Sequence, residues 1–138
     1  VKKGQFMAPA SMKHPIGKIE RTGNQRILIT ERGAQFGYHN LVVDMRGFPI
    51  MRGQGVPVVF DVTHSLQLPG AGDGVTIGLA EYIAPLARAG VAAGVDGVFM
   101  EVHENPSRAL ADGPNAYPLR RLRSLLQRLL RIHRATRI

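Results

Sequence analysis

The sequence contains no cysteine among its 138 residues. Disulfides and thiolate metal ligands are therefore excluded within this chain, and a reducing compartment is compatible with its composition. No apolar run approaches the ~20 residues that a membrane span requires, and no charged-then-apolar leader is visible. The chain opens with valine rather than methionine, so we expect a processed or truncated piece of a longer protein.

Acidic side chains are missing from residues 119–138, which hold seven arginines. The other residues carry eleven basic and ten acidic side chains, so +7 of the net charge of +8 belongs to one end of the chain. Leucines at helical spacing predict a terminal amphipathic helix over 119–138 whose arginines form the solvated face. These leucines are Leu119, Leu122, Leu126 and Leu129. Nucleic-acid or anionic-membrane binding is the alternative, and the absence of interleaved aromatic residues weakens it.

Short apolar runs that end in ionisable side chains are the main positive feature. Residues 27–29, 58–60 and 98–100 are such runs, and Arg32, His64 and Glu101 follow them. Apolar runs of this length, separated by helix-like segments, are typical of strands buried on both faces of a parallel sheet. The polar side chains would then lie at the carboxyl ends of the strands, where α/β proteins place their chemistry.

The order of segments predicts four βα-like units. We expect helices over 9–22, from Asn40 onward, and over 78–90, and strands near Val1 and over 26–30, 57–60 and 98–101. Residues 31–38 and the glycine-rich stretch 69–74 are predicted loops. A complete (β/α)8 barrel needs ~250 residues. The prediction is therefore α/β: one partial domain over 1–138 with about four parallel strands and flanking helices, either an open four-stranded sheet or half of a TIM barrel.

Three side chains form a candidate metal set of one imidazole and two carboxylates, namely His64, Glu101 and Asp112. Nitrogen and oxygen ligands of this kind suit Zn, Mn or Fe(II). An acid–base role, or ordinary hydrogen bonding in loops, is the alternative. His103 would be a partner behind the ligands or a hydrogen-bonded loop residue. Lys2, Lys3 and Arg32 stand at predicted strand ends, where they could clamp an anion.

A series of motifs resembles one enzyme family. These are Lys2-Lys3-x-Gln5-Phe6, Glu31-Arg32-Gly33, Phe36-Gly37-Tyr38-x-Asn40-Leu41-Val42-Val43-Asp44-Met45, Phe60-Asp61-Val62-Thr63-His64-Ser65-x-Gln67, Glu101-x-His103, Asp112-Gly113 and Pro118-Leu119. In this order they resemble the carboxyl-terminal half of the 3-deoxy-D-manno-octulosonate 8-phosphate synthases. The block from Phe36 to Met45 is the most specific of them.

The resemblance implies a cytoplasmic (β/α)8 barrel enzyme, usually a homotetramer. Such enzymes condense phosphoenolpyruvate with D-arabinose 5-phosphate and release phosphate, in lipopolysaccharide biosynthesis. By the same resemblance, Lys2 and Arg32 bind the anionic groups of phosphoenolpyruvate, and His64 also contacts this substrate. Gln5 and Gln67 would line the mouth of the site, which is its open end at the strand termini. Catalytic roles are implied for His64 and Asp112. In metal-dependent members, His64, Glu101 and Asp112 bind a divalent ion, whereas the metal-independent subclass binds none.

Two departures from the family pattern stand out. The family has a Gly-Gly-x-Arg segment where this chain has Gly72-Asp73-Gly74-Val75-Thr76, and Glu104-Asn105-Pro106 replaces a Pro-x-Pro segment. Contacts of the first loop with substrate or a neighbouring subunit are therefore in question. Other functions that fit the sequence are a synthase of the related DAHP type, which would use erythrose 4-phosphate, and a non-catalytic α/β module that binds nucleic acid through the arginine-rich helix. An inactive fragment is also expected if the other half is required.

Overall fold

The computed structural model describes residues 1–71 and 77–136. Its helices are α1 (Lys13–Glu20), α2 (Gly47–Arg52), α3 (Ile83–Ala92) and α4 (Leu119–Thr136). Its strands are β1 (Ile29–Glu31), β2 (Ala34–Gly37), β3 (Asn40–Val42), β4 (Val58–Asp61), β5 (Gly97–Phe99), β6 (Val102–His103) and β7 (Tyr117–Pro118). Short 3₁₀ turns cover Pro9–Met12, His64–Leu66, Ala80–Tyr82, Pro106–Arg108 and Gly113–Asn115.

The central sheet is parallel and has the order β1-β4-β5. Thr30 of β1 pairs with Val59 of β4, and Phe60 pairs with Val98 of β5. The segment 1–3 extends this sheet, because the Lys3 amide donates to the Thr30 carbonyl at 2.8 Å and the Thr30 amide donates to the Val1 carbonyl at 2.8 Å. A separate parallel pair joins β6 to β7. The predicted α/β class with parallel strands and flanking helices is therefore confirmed.

The core lies between the sheet and the helices on its flank. Phe60 of β4 is fully buried and meets Phe48 of α2 edge to face, with ring centroids 5.0 Å apart. Helix α3 packs close to the same ring, because a Cβ added at Gly90 would stand 2.3 Å from Phe60 Cδ1. Only glycine allows this approach without displacement of the ring. The close packing of α3 on Phe60 therefore holds β4, the strand that leads to His64, in position.

The helix predicted to begin near Asn40 is wrong. Residues 34–37 and 40–42 instead form an antiparallel hairpin, and helix α2 begins only at Gly47. Tyr38 and His39 both adopt left-handed backbone angles, with φ of 53° and 56°, and two such residues in succession form the tight turn that matches strand twist. Within β3, Leu41 is buried whereas Val42 is exposed, which is the alternation of a strand.

The apolar face predicted for the last helix is partly wrong. Helix α4 buries Leu125 and Leu129, whereas Leu119 and Leu126 are 53% and 44% exposed. The face that packs on α3 and the sheet includes Leu122 and Ile132 on its margin. Strand β5 ends at Phe99, so Glu101 lies beyond it. No helix in the described ranges is both long and apolar enough to cross a membrane.

Candidate active site

Side chains from four separate segments meet at the carboxyl ends of the parallel strands. The segment 1–3 supplies Lys2, the end of β1 supplies Arg32, and the turn after β4 supplies His64 and Gln67. Asp112 reaches the same place from the loop before β7. The parallel register places the carboxyl ends of these strands on one edge of the sheet, and the side chains that follow them therefore converge.

The carboxylate of Asp61 organises one side of the site. It is fully buried, and its Oδ2 lies 2.9 Å from Lys2 Nζ and 2.8 Å from His64 Nδ1. The His64 backbone amide also donates to Asp61 Oδ1, at 3.1 Å. A buried carboxylate is stable only when it is paired in this way. In the tautomer in which Nδ1 donates to Asp61, the lone pair of the neutral His64 ring lies on Nε2, where it can meet a ligand.

Arg32, Gln67 and Asp112 organise the other side. Arg32 Nη2 donates to Gln67 Oε1 at 2.6 Å and to the His64 carbonyl at 3.3 Å. The amide nitrogen of Gln67 donates to Asp112 Oδ1 at 3.2 Å, and Asp112 Oδ2 lies 3.9 Å from His64 Nε2. A continuous chain of polar contacts thus runs from Lys2 to Arg32. Such a chain fixes the direction of each side chain before a ligand arrives.

The backbone of Asp112 is left-handed, with φ of 52°. A residue with a Cβ rarely adopts this angle, and its cost is of order 1–3 kcal/mol when surrounding structure imposes it. The next residue, Gly113, packs against the Pro106 loop so closely that a Cβ added to it would stand 2.6 Å from the Pro106 carbonyl oxygen. The strained turn therefore holds the carboxylate that faces His64.

The predicted metal set is only partly assembled. His64 and Asp112 approach each other, and Glu101 is linked to this region through its backbone amide, which donates to Thr63 Oγ1 at 3.1 Å. Across residues 1–71 and 77–136, no three His, Asp or Glu side chains are grouped closely enough to share an ion. An imidazole nitrogen and a carboxylate oxygen beside it suit a borderline divalent cation. The three-ligand set stays a prediction.

Gln5 lies apart from the other predicted residues. It lines a separate cavity of about 380 Å³ together with Lys3, Glu31 and Asp44. Lys3 is also unavailable to the mouth, because it is 2% exposed and its Nζ lies 3.4 Å from Glu31 Oε1. Carbonyl groups of Gly4, Met7 and Gly33 also lie within 3.3–3.4 Å of its Nζ and share its protons with Glu31. This lysine therefore neutralises a buried acid, and the anion-clamp role suggested for it does not fit the structure.

Two residues of the site were missed as candidates. Asp61 stands in one of the family motifs but has no predicted role, although its spacing of three from His64 across a turn could have indicated a contact. Phe99 also belongs to the site: its ring stacks on that of His64 at 5.9 Å between centroids, and Lys2 Nζ lies 5.4 Å from its centroid. His103, by contrast, is the last residue of β6 rather than a loop residue, and its Nδ1 accepts the Asn105 amide at 3.0 Å.

Asp44 and Arg46, whose pKa values are both shifted, form an ion pair outside the strand-end site. Arg46 donates to both carboxylate oxygens of Asp44 at 2.9–3.1 Å. These hydrogen bonds lower the pKa of Asp44 and raise that of Arg46. Both side chains are exposed, so the pair contributes little to stability. It links two residues of the segment that connects β3 to α2.

Residues 1–135 match the family described as DAHP synthetase I. Curated relatives named 2-dehydro-3-deoxyphosphooctonate aldolase from Trichlorobacter lovleyi and Geobacter sulfurreducens are each 60% identical over 129 residues, 94% of this chain and 47% of each relative. The relative of that name from Desulfatibacillum aliphaticivorans is 57% identical over 135 residues, 98% of this chain and 50% of its own. The chain spans about half the length of the curated relatives it matches.

These relatives confirm the resemblance that the motifs predicted, and they do not favour the erythrose 4-phosphate synthase or the nucleic-acid module. The departures at residues 72–76 lie outside the described residues. The match to the family extends over all the segments that build the strand-end site. The chain belongs to the DAHP synthetase I family.

Proposed function

We propose that this chain carries the strand-end site of a 3-deoxy-8-phosphooctulonate synthase. The enzyme would condense phosphoenolpyruvate with D-arabinose 5-phosphate and release inorganic phosphate, in lipopolysaccharide biosynthesis. The observation that carries the proposal is the contact chain from Lys2 through His64 to Arg32, which puts two cations and an imidazole at one mouth. The names and identity of the relatives support the same reaction.

The proposal includes the architecture and setting of the enzyme. We infer that the parallel sheet of this chain is part of a (β/α)8 barrel, in which the relatives' additional half provides the other strands. The enzyme would be a cytoplasmic homo-oligomer, tetrameric as the resemblance implies. Support for the barrel comes from the strand order β1-β4-β5 with a helix within each crossover, α2 before β4 and α3 before β5, which is the repeating unit of that fold.

Each cation has a distinct role. Arg32 presents a planar fork that suits the carboxylate or phosphate of phosphoenolpyruvate, and an arriving anion would replace Gln67 as its partner. Lys2 is half-exposed beside Asp61, so its ammonium can reach a ligand while it remains neutralised. Two anionic substrates must be held face to face for the carbon–carbon bond to form, so positioning supplies much of the catalysis.

A divalent ion such as Zn, Mn or Fe would be held by His64 Nε2 and the carboxylate of Asp112, with Glu101 as the third ligand. When bound, such an ion orients a water molecule and polarises the aldehyde oxygen. The supporting observation is that Asp61 occupies the other ring nitrogen of His64, at 2.8 Å. Metal content measured after purification should fall in His64→Ala relative to the unaltered protein if this subclass assignment holds. Equal metal content in both would overturn it.

Phosphate release tests the reaction. The chain would be combined with the amino-terminal half of the Geobacter sulfurreducens relative and assayed with each substrate alone and with both. Release that requires phosphoenolpyruvate and arabinose 5-phosphate together, and that erythrose 4-phosphate does not support, is the expected result. In parallel, phosphoenolpyruvate added to the chain alone should perturb the NMR signals of the His64 ring. Release without an aldose phosphate, or no perturbation of that ring, would contradict the proposal.

A further inference from the structure

Three arginines on adjacent helices open into one cavity on the flank of the protein. Arg88 of α3 and Arg121 and Arg128 of α4 line a space of about 310 Å³, together with Ser124 and Tyr117. None of these residues takes part in the strand-end site. We call this space the arginine pocket. It is an independent feature of the α3–α4 interface and needs its own explanation.

Among the described residues, the nearest acid to appear beside the arginine pocket is Glu81, which lines the neighbouring cavity that Arg121 also lines. No Asp or Glu lines it, and none of its three arginines forms an ion pair among residues 1–71 and 77–136. Three guanidinium groups that share one concavity repel each other and raise the local concentration of anions. An anion in the cavity would relieve that repulsion.

The geometry of the pocket suits a small anion with several oxygens. Arg121 and Arg128 are two helical turns apart and so lie on the same face of α4, while Arg88 faces them from α3, where its Nε donates to the Ala84 carbonyl at 3.3 Å. Forked guanidinium donors from two facing helices suit the several oxygens of a phosphate group. Arg121 stands in the first turn of α4, where the helix dipole adds positive potential.

We propose that the arginine pocket binds the phosphate group of a small molecule, either inorganic phosphate or a phosphate monoester. This goes beyond the proposed reaction and does not rest on it, because the two sites share no residue. A single-stranded nucleic acid is not the occupant, since its bases need exposed aromatic platforms and Tyr117, the one aromatic residue of the pocket, is 9% exposed. The volume of the cavity also limits the ligand to a small molecule.

Titration of the chain with inorganic phosphate and with glycerol 3-phosphate, followed through the ¹⁵N signals of arginine Nε, tests this proposal. Signals of Arg88, Arg121 and Arg128 should shift together and reach saturation, while those of Arg120, Arg123 and Arg134 on the other faces of α4 should not. A shift of Arg32 reports the strand-end site and is scored separately. If only one ligand saturates the pocket, that result identifies the source of the phosphate group.

Matched variants separate a site from diffuse attraction. The triple variant Arg88→Gln, Arg121→Gln, Arg128→Gln should weaken phosphate binding by at least about tenfold, the effect of losing one charge-assisted contact. The control Arg120→Gln, Arg123→Gln, Arg134→Gln removes the same charge and should change affinity less than about twofold. Equal weakening in both, or no saturable shift of the three pocket signals in the unaltered chain, would overturn the proposal. That second outcome decides the question even if a variant does not fold.

Discussion

The buried carboxylate of Asp61 holds the imidazole of His64 by its Nδ1, at 2.8 Å. Because Lys2 binds the same carboxylate oxygen at 2.9 Å, one acid sets both the charge balance and the ring orientation of the site. Asp61 is fully buried, so a ligand in the mouth of the site cannot contact it directly. It acts through His64, and it is therefore a positioning residue.

Asp61→Asn should convert neutral His64 from a single tautomer into a mixture, because the amide can either donate to Nδ1 or accept from it. The ¹⁵N spectrum of the ring measures the two forms directly. In the combined enzyme, turnover should fall by up to about 100-fold, as for other partners that orient a ligand histidine. Asp44→Asn is the control, because that side chain is exposed and, among the described residues, bonds only Arg46. An unchanged tautomer in Asp61→Asn would refute the positioning role.

Arg32→Lys should raise the dissociation constant of phosphoenolpyruvate by about tenfold, since lysine keeps the charge but loses the fork. It should also free Gln67, whose Oε1 accepts from Arg32 at 2.6 Å. Isothermal titration would measure the affinity. Arg26→Lys provides the comparison, because Arg26 is exposed and lies before β1. Similar losses in the two variants would show that Arg32 contributes only general charge.

Gly90→Ala should destabilise the protein by ~1–3 kcal/mol, the usual cost of overpacking a core. The added Cβ would stand 2.3 Å from Phe60 Cδ1, so the ring or α3 must move. Gly17→Ala is the matched change in α1, where a Cβ meets no atom within 4 Å, and it should stabilise by ~0.5–1 kcal/mol through helix propensity. Urea denaturation would report both free energies of unfolding. A stable Gly90→Ala protein would mean that the helix–sheet distance is adjustable.

The Asp44 carboxyl should titrate below its ordinary pKa of 3.8, chiefly because the Arg46 side chain donates hydrogen bonds to it. A depressed folded-state pKa contributes stability at pH above the unfolded value, and that contribution is lost as the pH falls through the lowered folded pKa. Arg46→Gln should move the Asp44 pKa back toward 3.8. Carbon-13 NMR of the Asp44 carboxyl measures both values. A carboxyl that titrates identically in the two proteins would show that the fork does not form in solution.

The sheet and the centre of the site could be predicted from the sequence, because one physical rule covers both. Apolar runs that include Ile29 and Phe60 must be buried, and parallel strands bring their carboxyl ends to one edge. Arg32 and His64 follow such runs, and the structure places them in contact through the His64 carbonyl. No knowledge of other side chains is needed for that inference.

The rest depended on information that a single sequence does not carry. Tyr38 and His39 form a left-handed turn without the glycine or asparagine that usually signals one, so the hairpin was mistaken for a loop and a helix. In α4, adjacent leucines such as Leu125 and Leu126 allow two apolar faces that differ by about 100°, and packing on α3 selects the face with Leu125. Gln5 shares a motif with Lys2, but it lines another cavity.

The strand-end site is formed by residues from several strand–helix units of the chain, not by any single unit. Lys2 and Asp61 meet only when the segment 1–3 is joined to the sheet, and Asp112 arrives from a loop much later in the sequence. Contacts between residues so far apart along the chain form late and together during folding. A half-folded chain would therefore contain each of these side chains without the site, which forms cooperatively with the assembled sheet.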